Sequence, residues 1–143
     1  MAEALAIRFR VFVEEQGVPP DLEIDEHDRA GSTARHALVR DGDAAGEGGT
    51  AIAAGRLYAA DATTAQIGRL AVLAERRGRG VGALLLDALV DEARRGRFAR
   101  AHLWAQTHAV AFYHRAGFRA DGALLSDAGI PHQPMTLDLA EGT

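Results

Sequence analysis

The segment Leu70–Gly82 (LAVLAERRGRGVG) constrains the fold of this chain more than any other part of the sequence. It predicts the end of a strand near Leu73, a glycine-rich turn, and then a helix whose apolar stripe starts at Val81. Amide groups at a helix N-terminus are unpaired and carry a partial positive charge, so this junction favours an anion. The residues that we expect to bind a phosphate there are Arg77, Gly78, Arg79, Gly80, Val81 and Gly82.

Two common phosphate-binding loops do not fit this segment. A Walker A loop requires a Lys, and the chain contains none. A dinucleotide-binding loop requires GxGxxG, but here the third glycine comes one residue early, and no following parallel strand carries a ribose-binding acid. The pattern that fits is (Q/R)-x-x-G-x-(G/A), formed by Arg77, Gly80 and Gly82.

The apolar periodicity along the chain predicts an α/β fold with a mixed sheet. In the first half we expect a helix over 2–16, ended by Gly17, Pro19 and Pro20, and antiparallel strands over 36–40, 50–59 and 66–73. In the second half we expect a helix from 81 to the cap Gly96, a strand over 100–105, a helix over 108–116 with Ala109, Phe112 and Ala116 inward, and strands over 118–125 and 133–139. The acidic stretch 21–28 and the Gly-rich stretch 41–49 are predicted loops.

Composition excludes several classes of function. A length of 143 residues predicts one domain, covering 1–143, and a net charge of −4 argues against a nucleic-acid partner. The absence of Cys excludes disulfides, thiolate metal sites and a Cys nucleophile. No apolar run reaches the roughly 20 residues of a membrane span, and no signal-peptide pattern is visible, so we expect a cytoplasmic protein with no membrane partner.

A second motif, QTHAVAFYHRAGF over 106–118, follows the next predicted strand. Together the two motifs resemble the GNAT superfamily of N-acetyltransferases, in which the first loop binds the pyrophosphate of acetyl-CoA. There an Asn-xx-Ala-xxx-Tyr…Gly-Phe helix supplies a Tyr beside the thioester sulfur. The matching residues here are Ala109, Tyr113, Gly117 and Phe118, while Gln106 replaces the usual Asn.

The resemblance extends over nearly the whole chain to the ElaA-like branch of that superfamily. The segments that carry it are RFRVFVEEQGVP, DEHD, His36, IGRLAV, AQTHAVAFY and GIPHQPM. It implies a GNAT-like mixed, mostly antiparallel sheet flanked by helices. GNAT chains usually begin with a strand before the first helix, whereas this sequence starts inside that helix, so we expect the first strand to be absent.

The resemblance also implies acetyl-CoA as the cofactor and an amine of a small molecule or peptide as the acceptor. The backbone at Leu70 and Val72 would pair with the pantetheine arm, and Ala71 and Gln106 would join the cofactor site. Tyr113 is the candidate general acid, because a phenol with a pKa of about 10 is protonated at neutral pH and can donate to a departing thiolate.

The general base is left open by the sequence. The candidate residues, which also serve as candidate acceptor contacts, are Glu14, Glu15, His36, His108 and His132. Water-mediated deprotonation is a further alternative. The loop 129–132 (GIPH) resembles a loop near the acceptor site in the ElaA-like branch.

We expect no metal. The run Asp25–Asp28 (DEHD) offers oxygen and imidazole ligands that suit Mg²⁺ or Mn²⁺. Four consecutive loop residues rarely converge on one ion, so we interpret the run as a solvated or substrate-facing acidic loop.

The sequence leaves open two alternative functions and an association of two copies of the chain. The R-x-x-V-F and E-I-D-E-H-D patterns resemble acyl-homoserine-lactone synthases, which take acyl chains from a carrier protein. A non-catalytic CoA-binding regulatory module is the alternative of a different class. An uncovered sheet edge would favour a homodimer.

Overall fold

The computed structural model describes residues 2–16, 18, 25, 28, 32–41, 50–127 and 129–139. The first helix, α1, spans Ala2–Arg8 and continues as a π-helical segment over Phe9–Glu15. The other elements are β1 (Arg35–Arg40), β2 (Ala51–Ala59), β3 (Thr64–Val72), α2 (Val81–Arg95), β4 (Arg100–Gln106), α3 (Val110–Arg115), β5 (Arg119–Ala120), β6 (Leu125–Asp127) and β7 (Ile130–Asp138), with 3₁₀ turns at Ala74–Arg76 and Thr107–Ala109.

The described strands form one sheet in the order β1-β2-β3-β4-β7-β5, with β6 paired to β7. The β3–β4 pair is parallel and the other pairs are antiparallel. The predicted mixed, mostly antiparallel sheet flanked by helices is therefore confirmed. The strand β1 forms one edge of this sheet.

Each face of the sheet carries its own apolar cluster. On one face, α2 and the partly buried rings of α3 pack on residues such as Leu57, Ile67 and Leu103. On the other face, α1 packs over a smaller cluster that includes Ile7 and Val11. Because side chains alternate along a strand, neighbouring residues of β2, β3 and β4 belong to opposite faces. The two faces are called below the α2 side and the α1 side.

One predicted strand and one predicted buried residue are wrong. The strand predicted over 118–125 is reduced to β5, because Gly122 adopts a left-handed φ of 111° and turns the chain before β6 begins. Ala116, predicted to face inward, is exposed, since α3 ends at Arg115.

Some predictions fall on parts of the chain that the structure leaves undescribed. The loop over 41–49 lies outside the described residues except for Asp41, and of the acidic stretch 21–28 only Asp25 and Asp28 are described. The predicted helix stop at Gly17, Pro19 and Pro20 also lies outside them. No helix among the described residues is long and apolar enough to cross a membrane.

Candidate active site

A cleft of about 1060 Å³ lies where β3 and β4 separate. The two strands pair only at Thr64–Gln66 with Arg100–His102, although β3 continues to Val72 and β4 to Gln106. Beyond Gln66 the edge of β3 that faces β4 therefore has backbone groups without a partner strand. A cleft of this size matches the usual volume of a small-molecule site.

A β-bulge distorts β3 along this cleft. Gly68 pairs with Arg56 and Ala71 with Ala54, so two residues, Arg69 and Leu70, stand opposite Gly55 alone. Arg69 adopts a left-handed φ of 56°, which costs a non-glycine residue roughly 1–2 kcal/mol. A Cβ on Gly55 would lie 2.8 Å from Leu89 Cδ1, so the glycine allows α2 to pack directly on the bulge.

The predicted phosphate-binding turn lies at the other end of the cleft. Gly80, the N-cap of α2, has a φ of 79°, and Gly78 has a φ of 80°, a conformation that side chains rarely adopt. No side chain caps the first turn of α2, which leaves its amide groups available to an anion.

Two arginines of this turn are engaged by carboxylates. Arg77 binds Glu15 through both terminal nitrogens, at 2.7 and 2.9 Å, and its Nε donates to the Val72 carbonyl at 2.9 Å. The hydrogen bond from Arg77 holds the pKa of Glu15 below its ordinary value. Arg76 binds Asp41 at 2.6 Å. A phosphate ligand would therefore compete with these carboxylates for the guanidinium groups.

Tyr113 lines the middle of the cleft on the α2 side. Its ring packs edge-on against Phe112 and Phe118, with centroids 5.0 and 6.1 Å away. Burial raises the pKa of Tyr113 to about 12. Within the described part of the chain, its hydroxyl makes no hydrogen bond. The protonated phenol therefore has a donor for a ligand in the cleft.

Two histidines predicted from the sequence line the cleft, and they differ in environment. His132 is buried, and its Nδ1 lies 2.8 Å from the Ile130 carbonyl oxygen. Because a carbonyl can only accept, Nδ1 carries a proton, so in the neutral form of the ring the lone pair is on Nε2. His108 is exposed at the rim. His132 is the better oriented of the two as a base.

The α1 side of the cleft contains residues that sequence reasoning missed. They are Gln16, Arg56, Tyr58, Gln66, Arg69 and Trp104. Alternation along β4 exposes Trp104, which contacts His102 edge-on at 6.5 Å. Arg56 could have been found from the sequence. It is a charged residue inside the apolar run of β2, and a buried charge requires a partner.

A buried ion-pair network lies behind this side of the cleft. Asp28 binds Arg8 through both oxygens, at 2.6 and 3.0 Å, and Arg56 at 3.0 Å. Asp25 binds Arg56 at 2.6 and 2.7 Å and lies 3.6 Å from Arg69. Burial alone would raise the pKa of Asp28, but the hydrogen bonds and charges around it hold that pKa well below its ordinary value. The network connects α1 to β2 and β3.

The predicted site residues divide into two groups. The residues that line the cleft are Leu70, Val72, Arg77, Gly78, Gly80, Val81, Gly82, Gln106, His108, Tyr113 and His132. Those outside its lining are Glu14, Glu15, His36, Ala71 and Arg79. Ala71 packs toward α1, and His36 lies in a separate groove between β1 and α2. Of the two glutamates, Glu14 is exposed and Glu15 is bound to Arg77. Within the described ranges, no three His, Asp or Glu side chains are grouped as metal ligands.

Residues 28–139 match the family described as the acetyltransferase (GNAT) domain. YjcF of Bacillus subtilis, an uncharacterised N-acetyltransferase, is 36% identical over 139 residues, which cover 96% of this chain and 92% of that protein.

Two crystal structures share the fold closely. An acyl-CoA N-acyltransferase from Pseudomonas aeruginosa superposes with a TM-score of 0.76 at 30% identity, covering 94% of this chain and 88% of that one. Escherichia coli ElaA superposes with a TM-score of 0.79 at 28% identity, covering 96% and 88%.

Proposed function

Because the chain belongs to the GNAT family of acetyltransferases, we propose that it transfers the acetyl group of acetyl-CoA directly to an amine of a small molecule or peptide. The proposal is based on one observation. The glycine turn at the start of α2 opens into the same cleft as the unpaired edge of β3 and the partly buried ring of Tyr113. A candidate anion site, a strand edge and a candidate proton donor thus line one cleft.

The residues present fit acetyl-CoA. The left-handed glycines and the uncapped first turn of α2 suit a diphosphate, and Arg76 and Arg77 supply charged donors beside them. The strand edge around Leu70 and Val72 supplies backbone groups for an amide-containing arm. When bound, acetyl-CoA supplies an acetyl group activated as a thioester.

Tyr113 is proposed to hold a proton for the leaving sulfur. With a pKa of about 12, its phenol stays protonated throughout the neutral range. It donates a hydrogen bond to sulfur as the carbon–sulfur bond breaks and the carbon–nitrogen bond forms. The proton that the acceptor nitrogen loses balances the one that the thiol gains, so the reaction needs no further co-reactant.

His132 is proposed to receive the proton of the acceptor amine. Its Nδ1–H is fixed on the Ile130 carbonyl, which leaves Nε2 as the basic atom of a ring that lines the cleft. Of the five candidates named from the sequence, His132 alone among the described residues combines burial with a position in the cleft lining.

The test is an acetyl-transfer assay with acetyl-CoA and a panel of amines, following thiol release and the mass of the acetylated product. We expect at least one amine to gain an acetyl group at a rate that depends on enzyme concentration. Tight acetyl-CoA binding without any acetylated amine would instead support a CoA-binding regulatory module and contradict the proposal.

A further inference from the structure

Inside the cleft, on the α1 side of the sheet, lies a half-exposed aromatic ring, that of Trp104. The large apolar side chains that are exposed among the described residues are Phe9, Leu84, Trp104, Leu124 and Leu125. Of these, Trp104 alone lines the cleft, and it is 50% exposed. A ligand ring that covers an indole gains both from burial of apolar surface and from stacking. Trp104 is therefore a contact surface for an aromatic group.

Neighbouring side chains on β4 and β3 hold this indole and present a polar group beside it. Trp104 contacts the His102 ring edge-on at 6.5 Å, and His102 Nδ1 lies 3.0 Å from Gln66 Oε1. Because an amide oxygen can only accept, Nδ1 carries a proton, and the amide hydrogens of Gln66 are not used in this contact. Gln66 lines the cleft, and its Nε2 makes no hydrogen bond within the described ranges. The cleft wall thus offers a hydrogen-bond donor next to the indole.

The register of the sheet places these groups in one line. Since side chains alternate along a strand, His102, Trp104 and Gln106 share the α1 side of β4. Gln66 is paired with His102, and His132 is paired with Gln106. The two ends of the line are therefore roughly 13 Å apart along the strand, with Trp104 halfway between them. A ligand whose amine lies at His132 passes over the indole before it reaches Gln66.

The described lining of the cleft does not favour a polycation. Its one carboxylate is Asp87, which belongs to α2 on the opposite side of the sheet. A second positive charge on the ligand would need a partner of opposite charge to leave water. On the α1 side, the described lining supplies the indole of Trp104 and the amide of Gln66 instead.

We propose that the acceptor is a primary amine joined by a short chain to an aromatic ring with a hydrogen-bonding oxygen at its far end, and that Trp104 determines this specificity by stacking on the ring. The proposal rests on the proposed function above. The nitrogen lies at His132, the ring covers Trp104, and the far oxygen accepts a hydrogen bond from Gln66 Nε2. These three contacts follow the order of the residues along the sheet.

The experiment measures amine binding by calorimetry on the protein saturated with CoA, which carries no acetyl group and so allows no turnover. The ligands are tyramine, phenethylamine, ethylamine and, as a polycation, spermidine. The variants are Trp104→Ala, Gln66→Leu and the matched control Leu124→Ala, an exposed apolar residue outside the cleft lining. Trp104 is the only Trp in the chain, so the fluorescence of the native protein reports directly on contact with phenethylamine.

We expect phenethylamine to bind about tenfold or more tightly than ethylamine, because it buries an aromatic ring. Tyramine should bind about threefold or more tightly than phenethylamine, as one added hydrogen bond predicts. Trp104→Ala should remove the preference for the ring, Gln66→Leu should remove only the preference for the hydroxyl, and Leu124→Ala should keep both. Phenethylamine should also change the Trp fluorescence of the native protein.

Four results would overturn the inference. They are ethylamine or spermidine binding as tightly as phenethylamine, tyramine binding no more tightly than phenethylamine, either preference persisting in its variant, and no binding of any of these amines. Binding of acetyl-CoA and acetyl transfer to the wider panel of amines decide the proposed function separately. CoA binding by each variant also shows that the variant is folded.

Discussion

Gln16 and Gln106, which are 90 residues apart in sequence, form a closed amide pair across the cleft. Gln106 Nε2 donates to Gln16 Oε1 at 2.8 Å, and Gln16 Nε2 donates back to Gln106 Oε1 at 3.4 Å. The neighbouring Glu15 binds Arg77. The end of the first helix is thereby connected both to β4 and to the glycine turn before α2.

The amide pair should contribute measurably to stability. Replacing both Gln16 and Gln106 with Ala, singly and together, forms a double-mutant cycle on the free energy of unfolding. We expect a coupling of about 1 kcal/mol, the usual net value of such hydrogen bonds. The measurement is urea denaturation of the four proteins at pH 7. A coupling indistinguishable from zero would show that the two amides do not interact in solution.

Loss of the Tyr113 hydroxyl should slow the reaction with little effect on cofactor affinity. Tyr113→Phe keeps the ring contacts with Phe112 and Phe118, so we expect kcat to fall about 100-fold or more while the dissociation constant for acetyl-CoA changes less than about threefold. Steady-state kinetics and calorimetry measure the two quantities. An equal loss of kcat and of affinity for acetyl-CoA would indicate that Tyr113 contributes through its ring contacts rather than through its proton.

The pKa of Tyr113 also predicts how kcat of the native enzyme depends on pH in the alkaline range. Because burial raises the pKa of Tyr113 to about 12, its phenol remains protonated up to the highest pH at which the protein can be assayed. The kcat profile should therefore show no fall near pH 10 that is due to this group. A fall near pH 10 that disappears in Tyr113→Phe would contradict the assignment.

Removal of the His132 imidazole should be chemically reversible. His132→Ala deletes a buried ring that lines the cleft, and we expect kcat/KM to fall about 100-fold. Added imidazole should restore part of the rate in this variant and should not stimulate the native enzyme. If imidazole restores nothing although acetyl-CoA still binds normally, His132 acts through packing and not as a base.

The buried Arg8–Asp28 pair should dominate the stability of the α1 side. Asp28→Asn leaves Arg8 and Arg56 buried beside a neutral group, which we expect to destabilise the protein by about 3–5 kcal/mol. The exposed pair of Arg119 with Asp138 offers a matched control, since Asp138→Asn should change stability by less than about 1 kcal/mol. Urea denaturation of both variants makes the comparison.

The pH dependence of stability should follow from the same pair. The pKa of Asp28 is lower in the folded protein than its ordinary value of 3.8. Its stabilisation is therefore complete above that value and is lost progressively as the pH falls below it. Denaturation between pH 6 and pH 2 should show this loss in the native protein and a smaller one in Asp28→Asn. Parallel curves for the two proteins would contradict the assignment.

Elements whose limits depend on local signals were predictable from the sequence. The helix α2 begins at Val81 and ends before Gly96, as its apolar stripe and flanking glycines indicate. The turn before α2 follows from the same glycines, because the left-handed φ of Gly78 and Gly80 excludes most other residues. Local sequence determines such features, so no distant contact was needed to find them.

Features that depend on distant contacts were missed. The sequence predicts that the acidic stretch containing Asp25 and Asp28 is solvated or faces a substrate, whereas these two carboxylates bind arginines from α1, β2 and β3. Likewise, the sequence signalled neither the Gln16–Gln106 pair nor the bulge at Arg69. Each of these arises only when the topology brings separate elements together, and hydrophobic periodicity does not encode it.

Calorimetric titration with acetyl-CoA tests the central claim most directly. The native protein is compared with Gly80→Trp, which puts a side chain into the left-handed turn at the start of α2, and with Leu124→Trp, an exposed substitution outside the cleft lining. We predict that the native protein and Leu124→Trp bind with the same affinity and that Gly80→Trp shows no binding. Failure of the native protein to bind acetyl-CoA, or equal binding by Gly80→Trp, would contradict the account.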